Sequence, residues 1–555
     1  MKCFSKIILV VALSALMISC RQSTAIPTTS SPVPTVTPNP TTTPTISFTP
    51  TATIIPYPTI IPTINPTELP SLLQSAFSVK TLAGTNGHRL RRIEGWSNGF
   101  KKNYWWVDNF QGYQWMDTNH LLLFPIIGEA QSPNWRTTLD RAVVLNVETG
   151  ATWLPPSDLP DPGYRVLRFL LPRWSPEAKV LIAAENIGSG NNIKEGVTTF
   201  KSDGTFVAHY DGRLTSVSPS GNKILIADDT WIDLSNGKTI KFKWDDGTYT
   251  PRWRPVWSLD ENQIYFCCYF YGNAKTGESY AFSKEDSIFE GKQISQYQSI
   301  HHTHGLWLND TYVLAQADGF YTFFSNFDLI GESFIPIFDP SARTFRNLGK
   351  IADLPAGYTS QYVTPYISPK GDYMWMSSGW AAIGTEPTGY LIDLKTLKSH
   401  SYPYGLEWSA NGKYATFGVK VLSLSSKELK TLPANEICWG WHPTESICSS
   451  IFLNEKKNPI LLFQDVESMS VKKIELPASH VFSGTIWSPT GSHIALLTED
   501  GSLWQIDYPS LENFEQLTPP VSNMNIESLI WSPDDTHLSF FIGTDIYLVD
   551  TSKKQ

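Results

Sequence analysis

Short runs of alternating apolar and polar residues, such as "HIALL", "KILIA" and "SLWQID", fill most of the chain, and turn-forming residues interrupt them every few positions. A period of two is the mark of half-buried strands. One longer element recurs. It has an apolar or aromatic residue, then Ser-Pro or a close variant, then Asp, Asn or Gly, then an alternating run. "IWSPTGSHIALL" from Ile486 and "IWSPDDTHLSFF" from Ile530 are its clearest copies. Eight more begin at Gln114, Arg173, Ser216, Val256, Leu306, Tyr366, Glu407 and Gly440, making ten at spacings of about 33 to 60 residues.

Each copy predicts the same local structure. The Trp ends one short strand, and Pro with Asp, Asn or Gly forms a tight turn, because Pro presets φ and Gly accepts positive φ. The alternating run is the second strand. A third follows in segments such as "TWIDL", "GYLIDL" and "IYLVD", and a fourth in "KTIKF" or "EQLT". Four short antiparallel strands per period make the blade of a β-propeller, in which each blade buries its apolar faces against its neighbours. The expected fold is all-β, with about seven to ten such blades in one large ring or in two fused propellers. The last copy stops one strand short after "IYLVD". The segment "AFSVKTLA" (76–83) is expected to supply the missing strand and close the ring.

The beginning of the chain breaks this pattern. "MKCFSKIILVVALSALMISC" has two lysines and then an uncharged run ending at Cys20, too short to span a bilayer as a mature helix. It reads as an export signal (1–20). Its end resembles the bacterial lipobox, which implies lipidation at Cys20. Residues 21–71 are mostly Thr and Pro with almost no charge. Such a segment cannot build a core and is expected to be a disordered, polyproline-like stalk. At about 3.1 Å per residue it would reach on the order of 100 Å. The propeller then occupies 72–555.

Composition agrees with a β-rich body: aromatics make up 13% and charged residues only 17%. The net charge of −9 comes without the clustered Lys and Arg of a nucleic-acid surface. The element W-S-P-x-G-x-x-I-A, followed by (L/I)-(W/Y)-x-(I/V)-D and x-x-L-T, is similar to the WD-repeat-like propeller repeat of TolB-type bacterial proteins. The match is best over 486–518 and 530–550. That resemblance implies an extracytoplasmic propeller; it implies no particular ligand.

Ligands of propellers usually bind at the channel mouth, where the loops before the inner strands gather. Those loops carry Arg165, Arg168, Tyr249, Arg252, Trp253, Arg254, Tyr358, Tyr362 and Tyr366, the Arg-and-aromatic vocabulary of binding hot spots. These are the candidate ligand-binding residues. The structural alternative is packing between blades. In "HHTH", His302 and His304 would face the same way in an extended segment and are weak metal candidates beside His301; a solvated loop is the alternative. Cys438 and Cys448 flank the turn in "ICWGWHPTESIC". They would sit across a hairpin centred on Pro443, as a disulfide that export permits. The adjacent Cys267 and Cys268 read as buried thiols, with a vicinal disulfide as the alternative.

Nucleophile elbow, phosphate loop, dinucleotide fingerprint and H-E-x-x-H are all missing. No catalytic residue and no cofactor is expected. The sequence reads as an exported, lipid-anchored protein at the outer face of a bacterial membrane, in the periplasm or at the cell surface. It would act as a monomeric module that binds or scaffolds protein or glycan and no nucleic acid. The alternatives are a propeller hydrolase or lyase acting on polysaccharide, and a structural envelope component.

Overall fold

The computed structural model describes residues 78–82, 84–94, 113–123, 142–155, 172–187, 194–227, 229–242, 255–266, 270–281, 288–289, 292–293, 305–308, 310–315, 335–354, 363–378, 388–403, 405–520, 526–542 and 545–552. The chain divides into Met1–Ile61 and Pro62–Gln555, and every described residue belongs to the second unit. That unit is a β-propeller of ten antiparallel blades. Nine are four-stranded and the tenth has five strands. The blades start at the ten copies of the Trp-Ser-Pro element. Blade 1 opens with Tyr113–Trp115, blade 2 with Arg173–Ser175, and blade 10 with Ile526–Trp531.

The hydrophobic clusters decide between one ring and two. Each joins two consecutive blades. Leu122 and Val144 of blade 1 pack with Trp174 and Leu181 of blade 2. Leu225 of blade 3 packs with Trp257 and Phe266 of blade 4. Tyr265 of blade 4 packs with Phe338 of blade 5, and Ile337 of blade 5 with Met374 and Ile392 of blade 6. Similar seams join blades 2 and 3, 6 and 7, 7 and 8, 8 and 9, and 9 and 10. The last seam packs Phe541, Ile546 and Leu548 of blade 10 against Tyr113, Leu121, Val143 and Leu145 of blade 1. Ten seams for ten blades make a single closed ring.

The recurring residues have distinct jobs. The Trp that ends the first strand lies in the seam with the preceding blade: Trp115, Trp174, Trp257, Trp408, Trp441, Trp487 and Trp531 are all buried. Several also bond across it. The Trp115 indole N–H donates to Ser539 Oγ of blade 10 (2.9 Å), Trp257 to Ser216 Oγ of blade 3 (3.1 Å), and Trp487 to Ser449 Oγ of blade 8 (3.1 Å). The Ser that follows the first strand, after Trp in most blades and after Val217 in blade 3, is also buried, and its hydroxyl accepts the backbone N–H five residues on. Lys223 N to Ser218, Gln263 N to Ser258, Tyr414 N to Ser409, His493 N to Ser488 and His537 N to Ser532 all lie between 2.9 and 3.1 Å. This bond locks the turn. In blade 8 His442 replaces the Ser, and its Nδ1 accepts the Glu445 N–H (2.9 Å). The acidic turn residues clasp neighbouring blades: Glu261 accepts the Ser220 N–H (2.6 Å), and Asp535 accepts from Ser492 Oγ (3.0 Å).

Ring closure departs from the sequence expectation. The fourth strand of blade 10 is Leu90–Glu94, which pairs with Asp545–Asp550. The segment expected in that place, Ser78–Leu82 within 76–83, pairs outside it as a fifth strand. The reason is burial. "LRRIE" places Leu90, Arg91 and Ile93 in the interior, whereas "SVKTL" is exposed or half-buried throughout. Arg91 is buried only because partners wait for it: its guanidinium donates to Asp550 Oδ1 (2.5 Å), Glu148 Oε1 (3.0 Å) and the Val147 carbonyl (2.6 Å).

Candidate functional site

In each blade the first strand is the innermost. First strands of consecutive blades approach one another, as Val256–Trp257 does Gly305–Trp307, and Gly440–Trp441 does Phe482–Trp487. The alternation of a strand turns the residue before the Trp away from the seam that the Trp fills. Solvent reaches Gln114, Arg173, Tyr366, Glu407 and Ile486 at this register position. Val256, Gly440 and Ile530 are partly exposed there and Ser216 is buried. Side chains at this position face the seam with the following blade: Val256 packs in the seam of blades 4 and 5, Ile530 in the closing seam, and Ser216 accepts from Trp257. Those that solvent reaches, on the innermost strand, form the inner wall of the ring.

Two of them have perturbed chemistry. Burial among surrounding protein lowers the pKa of Arg173 and raises that of Glu407, although solvent reaches both side chains. Accessibility together with desolvation is what a concave wall produces: water touches the group, but protein replaces much of the more distant solvent. Arg173 belongs to blade 2 and Glu407 to blade 7, five places apart in a ring of ten, so they stand on opposite sides. Tyr366, half exposed, adds an aromatic ring 6.2 Å from that of Trp408. The wall therefore offers a cation, a carboxyl group, an aromatic face and an amide, the groups from which polar recognition sites are made.

Of the residues singled out from sequence, Tyr366 is on this wall. Arg165, Arg168, Tyr249, Arg252, Trp253, Arg254, Tyr358, Tyr362, His301, His302, His304, Cys20, Cys267 and Cys268 lie outside the described residues. Cys438 and Cys448 are joined by a disulfide with Cα atoms 5.6 Å apart. They are not directly opposite, as a simple hairpin would place them: Cys448 faces Trp441 in register, and the Trp439 N–H reaches the Ser449 carbonyl (2.9 Å). Gln114, Arg173, Glu407 and Ile486 are not in the loops that the sequence singles out; they stand on the first strands themselves. Their signal is in the aligned copies, where the position before the Trp changes from blade to blade.

A second charged group lies at the closing seam. Glu148, His537 and Asp550 have ligand atoms within 4.8 Å of one another, close enough to hold a cation. Arg89 and Arg91 already neutralise the two carboxylates, through contacts of 2.5 to 3.0 Å. Burial holds the His537 pKa below its ordinary value, with Asp550 opposing. A divalent ion there would meet two fixed guanidinium charges, so the cluster fits a latch better than a metal centre.

No family model matches the sequence, and neither does any curated protein. Solved structures similar to the chain include the Dos1 propeller, at 12% identity and TM-score 0.29, covering 79% of this chain and 90% of that one. An oligogalacturonate lyase from Vibrio parahaemolyticus has 9% identity and TM-score 0.31, covering 86% and 98%. The C-terminal WD40 domain of Sif2 has 10% identity and TM-score 0.30, covering 82% and 100%. Likeness this distant carries no argument about function.

Proposed function

We propose that the ring is the binding body of an exported bacterial lipoprotein, built on a TolB-like repeat and holding protein or glycan ligands at its inner wall. In this reading Cys20 carries the lipid, residues 21–71 form the stalk, and the body stands off the membrane as a monomer. One observation carries the binding role. The seam position of the repeat is Trp in eight blades and Val217 or Ile367 in the other two, while the position before it reads Gln114, Arg173, Ser216, Val256, Leu306, Tyr366, Glu407, Gly440, Ile486 and Ile530. A purely structural ring has no need for a cation, a carboxyl group and an exposed tyrosine at one register. The Cys438–Cys448 disulfide fits an oxidising compartment, and so supports export.

The test is a glycan and peptide array probed with the mature chain, kept soluble by Cys20→Ser, beside the variant Arg173→Ala/Tyr366→Ala/Glu407→Ala. Saturable binding that the triple variant loses supports the reading. Binding that the variant retains in full sinks it.

A further inference from the structure

Away from the inner wall, a cleft of about 420 Å3 opens between blades 4 and 5. Blade 4 contributes the turn at Asp260 and Asn262 and the hairpin bearing Tyr271, Lys275, Glu278 and Tyr280; blade 5 contributes the turn with Arg343. In an antiparallel four-stranded blade these turns share one end of the ring, opposite the connections that lead from blade to blade.

The walls are held in place by bonds within blade 4 and between it and blade 5. Gln263 Nε2 donates to the Asp310 carbonyl (2.7 Å), and its Oε1 accepts the Tyr271 hydroxyl (2.9 Å). The Asp260 N–H donates to Asp310 Oδ1 (2.8 Å), and Asn262 Nδ2 donates to Asp260 Oδ2 (2.8 Å). Tyr271 and Tyr280 are cross-strand partners with ring centroids 6.3 Å apart at 62°, and the Arg343 guanidinium lies 4.6 Å from the Tyr280 centroid. Pre-formed, cross-linked walls are what a weak polar ligand needs, because little ordering remains for binding to supply.

The chemistry of the lining selects the ligand. Two carboxylates, Asp260 and Glu278, are balanced by Lys275 and Arg343. An anion would meet the carboxylates and a cation the basic pair, so a neutral ligand gains most. An apolar molecule would strip water from amides and carboxylates without replacing its hydrogen bonds. A neutral sugar satisfies both needs. Its hydroxyls both donate and accept, matching Asn262, Asp260 and Glu278, and its C–H faces pack on tyrosine rings. The geometry points to a second binding site in this cleft, for a neutral oligosaccharide. It stands independently of the inner-wall reading.

Calorimetric titration of the mature Cys20→Ser chain with cellotetraose, maltotetraose, mannotetraose and xylotetraose tests it, with tetragalacturonate as the charged counterpart. At least one neutral tetrasaccharide should bind, with affinity reduced tenfold or more by Lys275→Ala/Glu278→Ala and by Tyr280→Ala. It should be unchanged in Arg173→Ala/Glu407→Ala. Lys275 and Glu278 are exposed, so that double variant decides the matter if Tyr280→Ala does not fold. The proposal is overturned if no neutral tetrasaccharide binds, if tetragalacturonate binds more tightly, or if the exposed double variant leaves affinity unchanged. It is also overturned if the wall variant weakens binding as much as the cleft variant does; the wall reading would then survive alone.

Discussion

At the scale of single residues, the repeated Ser is a turn lock rather than a nucleophile. Ser488 is almost fully buried and its hydroxyl accepts the His493 N–H (3.1 Å). Ser488→Ala leaves that donor without its side-chain acceptor in an enclosed turn, at a cost of about 1–3 kcal/mol. Urea denaturation should show the loss as a lower midpoint at unchanged slope. The repeated Trp does two things at once, filling a seam and, in several blades, donating across it. This is why the element is so legible. Each blade must meet its neighbour in the same way, so the residues that make the meeting recur in sequence.

At the scale of elements, the closing blade shows where local pattern runs out. "LRRIE" has two arginines in five residues, yet Arg91 is buried. What makes that burial possible is Asp550, more than four hundred residues away in the chain, together with Glu148 across the seam. Partners so remote leave no mark in the local sequence. Removing residues 1–83, including Ser78–Leu82, should leave the melting temperature close to that of the parent, because that strand is largely exposed. Removing residues 1–94 should lower it sharply, and Arg91→Ala should cost about 1–3 kcal/mol by taking its charged hydrogen bonds from Asp550 and Glu148, with Arg89 still paired to Asp550. Equal melting of the two truncations would show that Leu90–Glu94 does not close the ring. The cleft between blades 4 and 5 is illegible in the sequence for a related reason: its lining comes from turns some eighty residues apart that only ring packing brings together.

At the scale of the whole molecule, ring stability should depend on pH through the seams. Burial lowers the pKa of His442, at the seam of blades 8 and 9, against the pull of Glu445 and the Gly491 carbonyl. His537, at the closing seam, is lowered in the same way and faces Asp550, Arg91, Glu148 and Asp534. A histidine with a folded pKa below its unfolded value of about 6.5 binds its proton more readily when unfolded. Its contribution is therefore intact above that value and is lost as pH falls below it. Glu407, raised by burial, works in the opposite direction just above the ordinary carboxylate range. Burial pushes Asp117 up, but hydrogen bonds from His120 and the Asn119 N–H outweigh it and hold the group at about 2, so it matters only in stronger acid. Chemical denaturation between pH 7 and 5.5 should show the parent losing more stability than His442→Gln/His537→Gln; equal slopes would remove the histidines from the account.

In the proposed reading, the ring presents a varied set of side chains at one register while the seams behind them stay the same. The array measurement with Arg173→Ala/Tyr366→Ala/Glu407→Ala tests that claim most directly, provided the melting temperature is recorded alongside. The triple variant should melt with the parent and no longer hold the ligand that the parent holds. A variant that melts with the parent and binds as well as it does would contradict the account.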